Sequence, residues 1–291
     1  MRLTILQMKD RKYYIVNIIV LSITLYFFCQ IISESIIKKA LEIKTTSLMP
    51  LILLGIMIIY ILKAIRLYFI MLEYKISLKD FIKVYLKTAF VSISIPFKVG
   101  EFFKIYCYGK EIKNYRISTL LVLMDRYFDT IPLTIILVVL SISGENKFSS
   151  LILYMLIFLI FVTILYWVFP STYYYLNQYF IKNTYSDRGI RALFYLSQIK
   201  QLYITIKELV KSRFLILFIL SSITWVLEYG ILAALFTNIG KVFKGEEFVE
   251  YINAVFWGNH NEYINLYISL GAMVLFVIAI LVYGIYYRRK R

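Results

Sequence analysis

Three ionisable residues, Asp125, Arg126 and Asp129, interrupt the apolar run "STLLVLMDRYFDTIPLTIILVV". Asp125 and Asp129 are four apart and share a helix face, and Arg126 lies in the same broad arc as Asp129. Each such group costs a few kcal/mol at mid-helix in a bilayer unless it is compensated. Two uses fit the pattern. The three can lock helices together as a structural ion-pair knot, or they can line a polar cavity for a charged ligand. A second charged group stands in "IPFKVGEFFKIYCY", residues 95–108, which carries Pro96, Lys98, Gly100, Glu101 and Lys104 between apolar stretches. Arg66, Lys98 and Lys104 are the cations available to the two aspartates, and Glu101 can pair with Arg126. Two further charges, Lys63 beside Arg66 and Glu228 one turn after Trp225, lie in other apolar runs. Lys63 is expected to reach the headgroups by snorkelling. Arg66 can do the same or turn inward. Glu228 fits a helix–helix hydrogen bond or a cavity wall.

Other chemistries lack their residues. The single histidine, His260, falls in a predicted loop and is expected to be solvated, so no His and carboxylate metal set can form. No Gly-rich phosphate loop with its Lys-Ser/Thr occurs, which argues against an ATP motor. Cys107 has no histidine near it to activate a thiolate. Cys29 and Cys107 have neither metal-type nor disulfide-type spacing. The residues therefore predict no catalytic set, no metal and no cofactor.

The elements that must position these charges are membrane helices. Of 291 residues, 61% are hydrophobic, above the roughly one-half of a soluble domain. The apolar residues come in runs of about 20, long enough to cross hydrocarbon as helices. The alternation of a barrel is missing. Six spans are predicted, at about 14–33, 48–72, 117–141, 150–170, 213–239 and 265–287. The first is too long for a cleavable signal peptide and lacks its small-residue cleavage site. The net charge of +16 does not indicate nucleic acid, because the basic residues are spread over loops. Segments 1–12, 73–116, 171–213 and the tail "RRKR" hold four, nine, seven and four Lys or Arg, while the other loops together hold six. The two sets alternate across the spans, so both termini are expected on the cytoplasmic side of the cell membrane.

Residues 80–109 then have both ends on one side. Two full spans there would bury five charges, which is expensive. An amphipathic hairpin on the surface is one solution. A re-entrant hairpin is the other, with a break at Pro96 and a tight turn at Gly100, and it requires a watery or protein-lined cavity. Residues 171–212 are expected to form cytoplasmic amphipathic helices at the interface, turning at "NTYSDRG". The loop 240–264 could hold a second, shorter re-entrant element from the opposite side. Two such elements would fit an inverted repeat. The predicted fold is thus a single all-α polytopic membrane domain over 1–291, with about six spanning helices and one or two re-entrant hairpins.

The stretch "SIPFKVGEFFKIYCYGKEIKNYRISTLLVLMDRYFDTIPL" resembles the lysylphosphatidylglycerol synthase transmembrane family, also called flippase-like domain proteins. The family block Pro-x-x-x-Gly-Glu followed by a basic residue reads here as Pro96, Gly100, Glu101 and Lys104. The acid-Arg-x-x-Asp block reads as Asp125, Arg126 and Asp129. Lys104 replaces the usual Arg and Asp125 the usual Glu. Arg66 matches a basic residue of the second span, and Trp225 and Glu228 match a later one. "FWGNHNEY" stands where the family has a Pro-Gly-Gly-rich loop, with Gly258 and Glu262 as loose echoes. The soluble aminoacyl-transferase domain of some relatives is not expected in a chain that ends at "YYRRKR".

The resemblance implies a flippase-like protein whose broken helices enclose a polar cavity for an anionic or aminoacylated lipid headgroup or a lipid-linked intermediate. Cations and helix N-termini in a dry setting suit a lipid phosphate. The cavity residues are then Arg66, Pro96, Lys98, Gly100, Glu101, Lys104, Asp125, Arg126, Asp129 and Glu228. Two alternatives are carried. One is a non-transporting membrane partner that docks a cell-envelope glycosyltransferase or lipid synthase through 73–92 and 171–213. The other is an intramembrane lipid-modifying enzyme with Asp125 or Glu101 as base. Self-association into a homo-oligomer is compatible with all three.

Overall fold

The structure, a computed structural model, describes residues 15–27, 29, 48–95, 99–143, 150–183, 187–257 and 262–288. Among these, every regular element is a helix. In chain order they are α1 (Ile15–Phe27), α2 (Leu48–Met71), α3 (Leu78–Ser94), α4 (Val99–Ile112), α5 (Tyr115–Ser143), α6 (Ser150–Asn183), α7 (Asp187–Asn238), α8 (Gly245–Trp257) and α9 (Glu262–Arg288), with a 3₁₀ turn at Leu72–Tyr74. Four stretches are long and apolar enough to cross a membrane: Leu48–Tyr74, Ser150–Lys182, Gly189–Asn238 and Tyr263–Val282. The chain is an all-α polytopic membrane protein. Of the predicted first span, α1 covers Ile15–Phe27, and Tyr14, Phe28 and residues 30–33 lie outside the described residues. α5 has 29 residues, enough to cross about 30 Å of hydrocarbon at 1.5 Å each, and it carries the Asp125–Asp129 charges.

Local sequence sets the helix ends. Ser77, extended at φ −61°, ψ 139°, caps α3 by accepting from the Asp80 N–H at 3.2 Å. α3 stops at Ile95, which is extended at φ −100°, ψ 122°. Pro96 follows in sequence, and proline drives the preceding residue out of the helical region. Asn114 opens α5 by accepting from the N–H groups of Arg116 and Ile117 at 3.1 and 3.3 Å. α7 ends in a Schellman-type motif. There Gly240 takes a left-handed φ of 76°, its N–H donates to the Thr237 carbonyl, and the Lys241 N–H reaches the Phe236 carbonyl at 3.0 Å.

The segment 171–213 differs from its prediction. Residues 171–183 continue α6, and residues 187–212 belong to one 52-residue helix that runs on to Asn238. No glycine or proline lies between Arg191 and Arg213 to break it. That helix is about 78 Å long, far more than a bilayer core. α6 and α7 therefore extend together past the span region as an antiparallel pair. Tyr203 stacks on Phe169 and tilts against Tyr166, with ring centres at 4.9 and 5.3 Å, and the Lys200 ammonium sits 4.9 Å from the Tyr173 ring. Residues 184–186 of the predicted turn lie outside the described residues.

α3 and α4 fold back on each other and pack against α9 and α5 respectively. A Cβ on Gly271, midway along α9, would stand 2.8 Å from the Tyr60 hydroxyl and 3.0 Å from Ile93 Cδ1. Tyr60 is mid-way along α2, so Ile93, next to the break, lies level with the middle of two spanning helices. The Tyr85 hydroxyl also donates to the Tyr60 carbonyl at 2.8 Å. Gly100 has a different task from the predicted turn. It is inside the first turn of α4, and a Cβ there would overlap the Ser92 backbone, 2.8 Å from its nitrogen. The glycine lets α4 touch α3 directly.

The buried apolar residues form two clusters. One holds Phe81, Val91, Phe103, Tyr108, Leu121 and Phe128 from α3, α4 and α5 with the end of α2. The other holds Ile52, Ile56, Leu137, Leu232, Phe248 and Ile268 from the opposite end of α2 and α5 with α7, α8 and α9. Tyr60 and Ile93 pack against both. α8, only 13 residues long, cannot span. It is buried through Phe248, Tyr251, Ile252 and Ala254. The charged residues gather where the two clusters meet.

Candidate functional site

Arg66 sits on α2 with 1% of its surface exposed. Its Nε donates to Asp125 Oδ1 at 2.9 Å, and its Nη1 donates to Asp129 Oδ1 and to Ser221 Oγ, the latter at 2.7 Å. One planar guanidinium thus bridges α2, α5 and α7, a geometry that lysine's single ammonium could not reproduce. Trp225, one turn after Ser221, closes the site. Its indole N–H donates to the Asp129 carbonyl and carboxylate at 3.0 and 3.1 Å.

The α3–α4 pair adds the second half. Lys104 Nζ stands 3.3 Å from Glu101 Oε2 and 3.6 Å from Asp125 Oδ2. Arg126 Nη2 stands 3.0 Å from Glu101 Oε1 and 3.5 Å from Asp125 Oδ2, and its Nη1 is 3.5 Å from Asp129 Oδ2. Glu101 is in the first turn of α4, where the helix dipole favours a carboxylate. Three cations and three carboxylates thus interlock at the meeting of α2, α4 and α5. A single buried pair is weakly stabilising at best, because desolvation offsets its attraction. A network in which each carboxylate faces at least two cations meets that cost more fully.

The network lines a cavity of about 200 Å³. Lys63, Arg66, Ser92, Ser94, Glu101, Lys104, Asp125, Arg126, Asp129, Trp225, Glu228 and Tyr251 all border it. Two buried atoms of residues that border it, Ser92 Oγ and Arg126 Nε, have no hydrogen-bond partner. The cavity is lined by α8 as well, through Tyr251, Ile252 and Ala254, in addition to Ser92 and Ser94 of α3 and Glu101 and Lys104 of α4.

Most residues singled out in the sequence come together here. Arg66, Glu101, Lys104, Asp125, Arg126 and Asp129 form one cluster, Glu228 borders the same cavity, and Gly100 packs on Ser92 beside it. Pro96, Lys98 and His260 are outside the described residues. Lys63 does not snorkel: its Nζ pairs with Glu228 at 2.9 Å. The sequence reading did not single out Ser221, Tyr251 or Tyr60. Ser221 had a signal, since two adjacent serines interrupt the apolar run before Trp225. Tyr251 had none in a chain with 27 tyrosines.

The model of the family described as "Lysylphosphatidylglycerol synthase TM region" matches residues 14–242. The chain belongs to this family. No curated protein and no solved structure matches the chain. The matched span of the lysylphosphatidylglycerol synthase transmembrane family runs from α1 to the end of α7 and includes both charged blocks. α8 and α9, which close the far side of the cavity, lie beyond it. Membership places the chain among multi-pass membrane proteins related to lipid handling. The geometry adds a compartment bordered by charged side chains from α2, α4, α5 and α7.

Proposed function

We propose that the chain binds the charged headgroup of an anionic or aminoacylated lipid, or of a lipid-linked intermediate, and moves it across the cytoplasmic membrane. The observation that carries this reading is the cavity edged by Arg66, Lys104 and Arg126 at mid-depth, beside a helix pair that does not span. The first N–H groups of α4 and the two unpartnered atoms, Ser92 Oγ and Arg126 Nε, supply donors for phosphate oxygens. The acids hold the cations in place until the headgroup arrives. In this reading both termini, the open end of the α3–α4 pair and the α6–α7 extension are cytoplasmic, following the basic loops. Translocation is alternating exposure of the cavity.

The test is lipid movement in proteoliposomes. Glu101→Ala and Arg126→Ala should each abolish translocation while the protein stays folded and inserted. Full translocation by both variants would refute the proposal.

A second reading has its own observation. The α6–α7 extension exposes Tyr174, Tyr175, Tyr179, Phe194 and Tyr195 beyond the spans expected at 150–170 and 213–239, a surface suited to docking a membrane glycosyltransferase or lipid-modifying enzyme. A docking partner would tolerate Glu101→Ala and Arg126→Ala and fail when that surface is altered.

A further inference from the structure

Lys63 lies one helical turn before Arg66 on α2 but has its own set of partners. Its Nζ is 2.9 Å from Glu228 Oε2, 5.6 Å from the centre of the Trp225 ring and 5.9 Å from that of Tyr60. The other Glu228 oxygen accepts from the Tyr251 hydroxyl. A buried carboxylate walled by ring faces is the chemistry that receives an alkylammonium. Its present occupant is loosely held. The Lys63 side chain is 27% exposed, against 4% for Glu228, and it borders the cavity on a flexible four-carbon stem. Arg66, gripped by two aspartates and a serine, has no such freedom.

We propose that Glu228, Trp225, Tyr60 and Tyr251 form a binding site for the ammonium group of a ligand, filled at rest by the Lys63 ammonium. This rests on the lipid-binding role above and narrows it: the headgroup carries both a phosphate and a primary ammonium. Charge conservation is the argument. Four cations (Lys63, Arg66, Lys104, Arg126) and four carboxylates (Glu101, Asp125, Asp129, Glu228) line the cavity among the described residues, and each has an opposite charge within reach. A purely anionic headgroup adds a charge that this balanced set does not match, and any cation it draws is weakened in its hold on a buried carboxylate, which is unfavourable. A headgroup with both charges exchanges partners instead. Its ammonium takes Glu228, the freed Lys63 turns to its phosphate, and no carboxylate is left without a cation. Ser92 Oγ and Arg126 Nε complete the phosphate contacts.

The experiment uses the full chain in nanodiscs. Lys63→Ala empties the ammonium site and leaves the Arg66 network intact. Ethylammonium chloride should then raise the thermal midpoint of Lys63→Ala above that in sodium chloride of equal concentration. It should leave the wild type and the double variant with Glu228→Gln unchanged. In a second arm, vesicles of phosphatidylethanolamine and of phosphatidylglycerol are compared as sources of bound lipid. The preference for phosphatidylethanolamine should grow about tenfold in Lys63→Met and vanish in Glu228→Gln. A folded Lys63→Ala with no response to ethylammonium overturns the site. Equal binding of the two lipids by Lys63→Met overturns the headgroup assignment. Neither arm depends on transport, so a protein that moves no lipid would sink the proposed function and leave these readouts standing.

Discussion

Arg66 Nε and Asp125 Oδ1 meet at 2.9 Å, joining two helices whose contacting residues are 59 positions apart in the chain. With Asp129 and Ser221 on the same guanidinium, this contact fixes α2, α5 and α7 around one buried charge. Removing one member leaves the others charged and dry. Arg66→Met is therefore expected to lower stability by about 3–5 kcal/mol, measured by denaturant or thermal unfolding in a fixed detergent. Adding Asp129→Asn to that variant leaves Lys104 and Arg126 balanced by Glu101 and Asp125, and should recover a large part of the loss.

Gly100 makes a different prediction. A methyl group there meets Ser92 backbone, which cannot rotate away. Gly100→Ala should part α3 from α4 and destabilise the protein by about 1–3 kcal/mol. Spin labels on the outer faces of the two helices should report a larger separation, and lipid translocation should fall with it.

Trp225→Phe keeps an aromatic ring against Phe248 and loses the indole N–H that serves Asp129. The expected cost is about 1–3 kcal/mol for the buried acceptors left short of a donor. The same substitution weakens the ring face beneath Lys63. Phenylalanine should thus reduce lipid binding more than unfolding alone explains, which a binding isotherm on the folded fraction can test.

Tyr203→Ala separates the two functional readings. The ring stacks on Phe169 and Tyr166 far from the cavity. Its loss should cost about 0.5–1.5 kcal/mol of stability beyond the lost area. Translocation by the folded variant should be unchanged if the protein is a carrier. A loss of activity without a loss of folding would favour the docking role.

The membrane class was legible because hydrocarbon demands long apolar runs, and the charges within those runs stood out against them. The blocks around Glu101 and Asp125 could be picked out for the same reason. What the sequence concealed was mostly a matter of partners. Lys63 looked like a headgroup-seeking residue because nothing local shows that Glu228, far along the chain, stands opposite it. Tyr251 was one tyrosine among many. Gly100 suggested a turn, whereas its role comes from Ser92 on the neighbouring helix, a contact no local pattern encodes. The join between residues 187–212 and the following span was hidden because polar composition suggests a new element, while the backbone had no reason to break.

That unbroken helix has a mechanical consequence. Trp225 and Glu228 border the cavity, and Asp187 lies about 57 Å away along the same rod. A rocking of one degree at the cavity sweeps the distant end by about 1 Å. In the proposed orientation, a full and an empty compartment would differ at the far end of the rod by a displacement that anything gripping it on the cytoplasmic side could read.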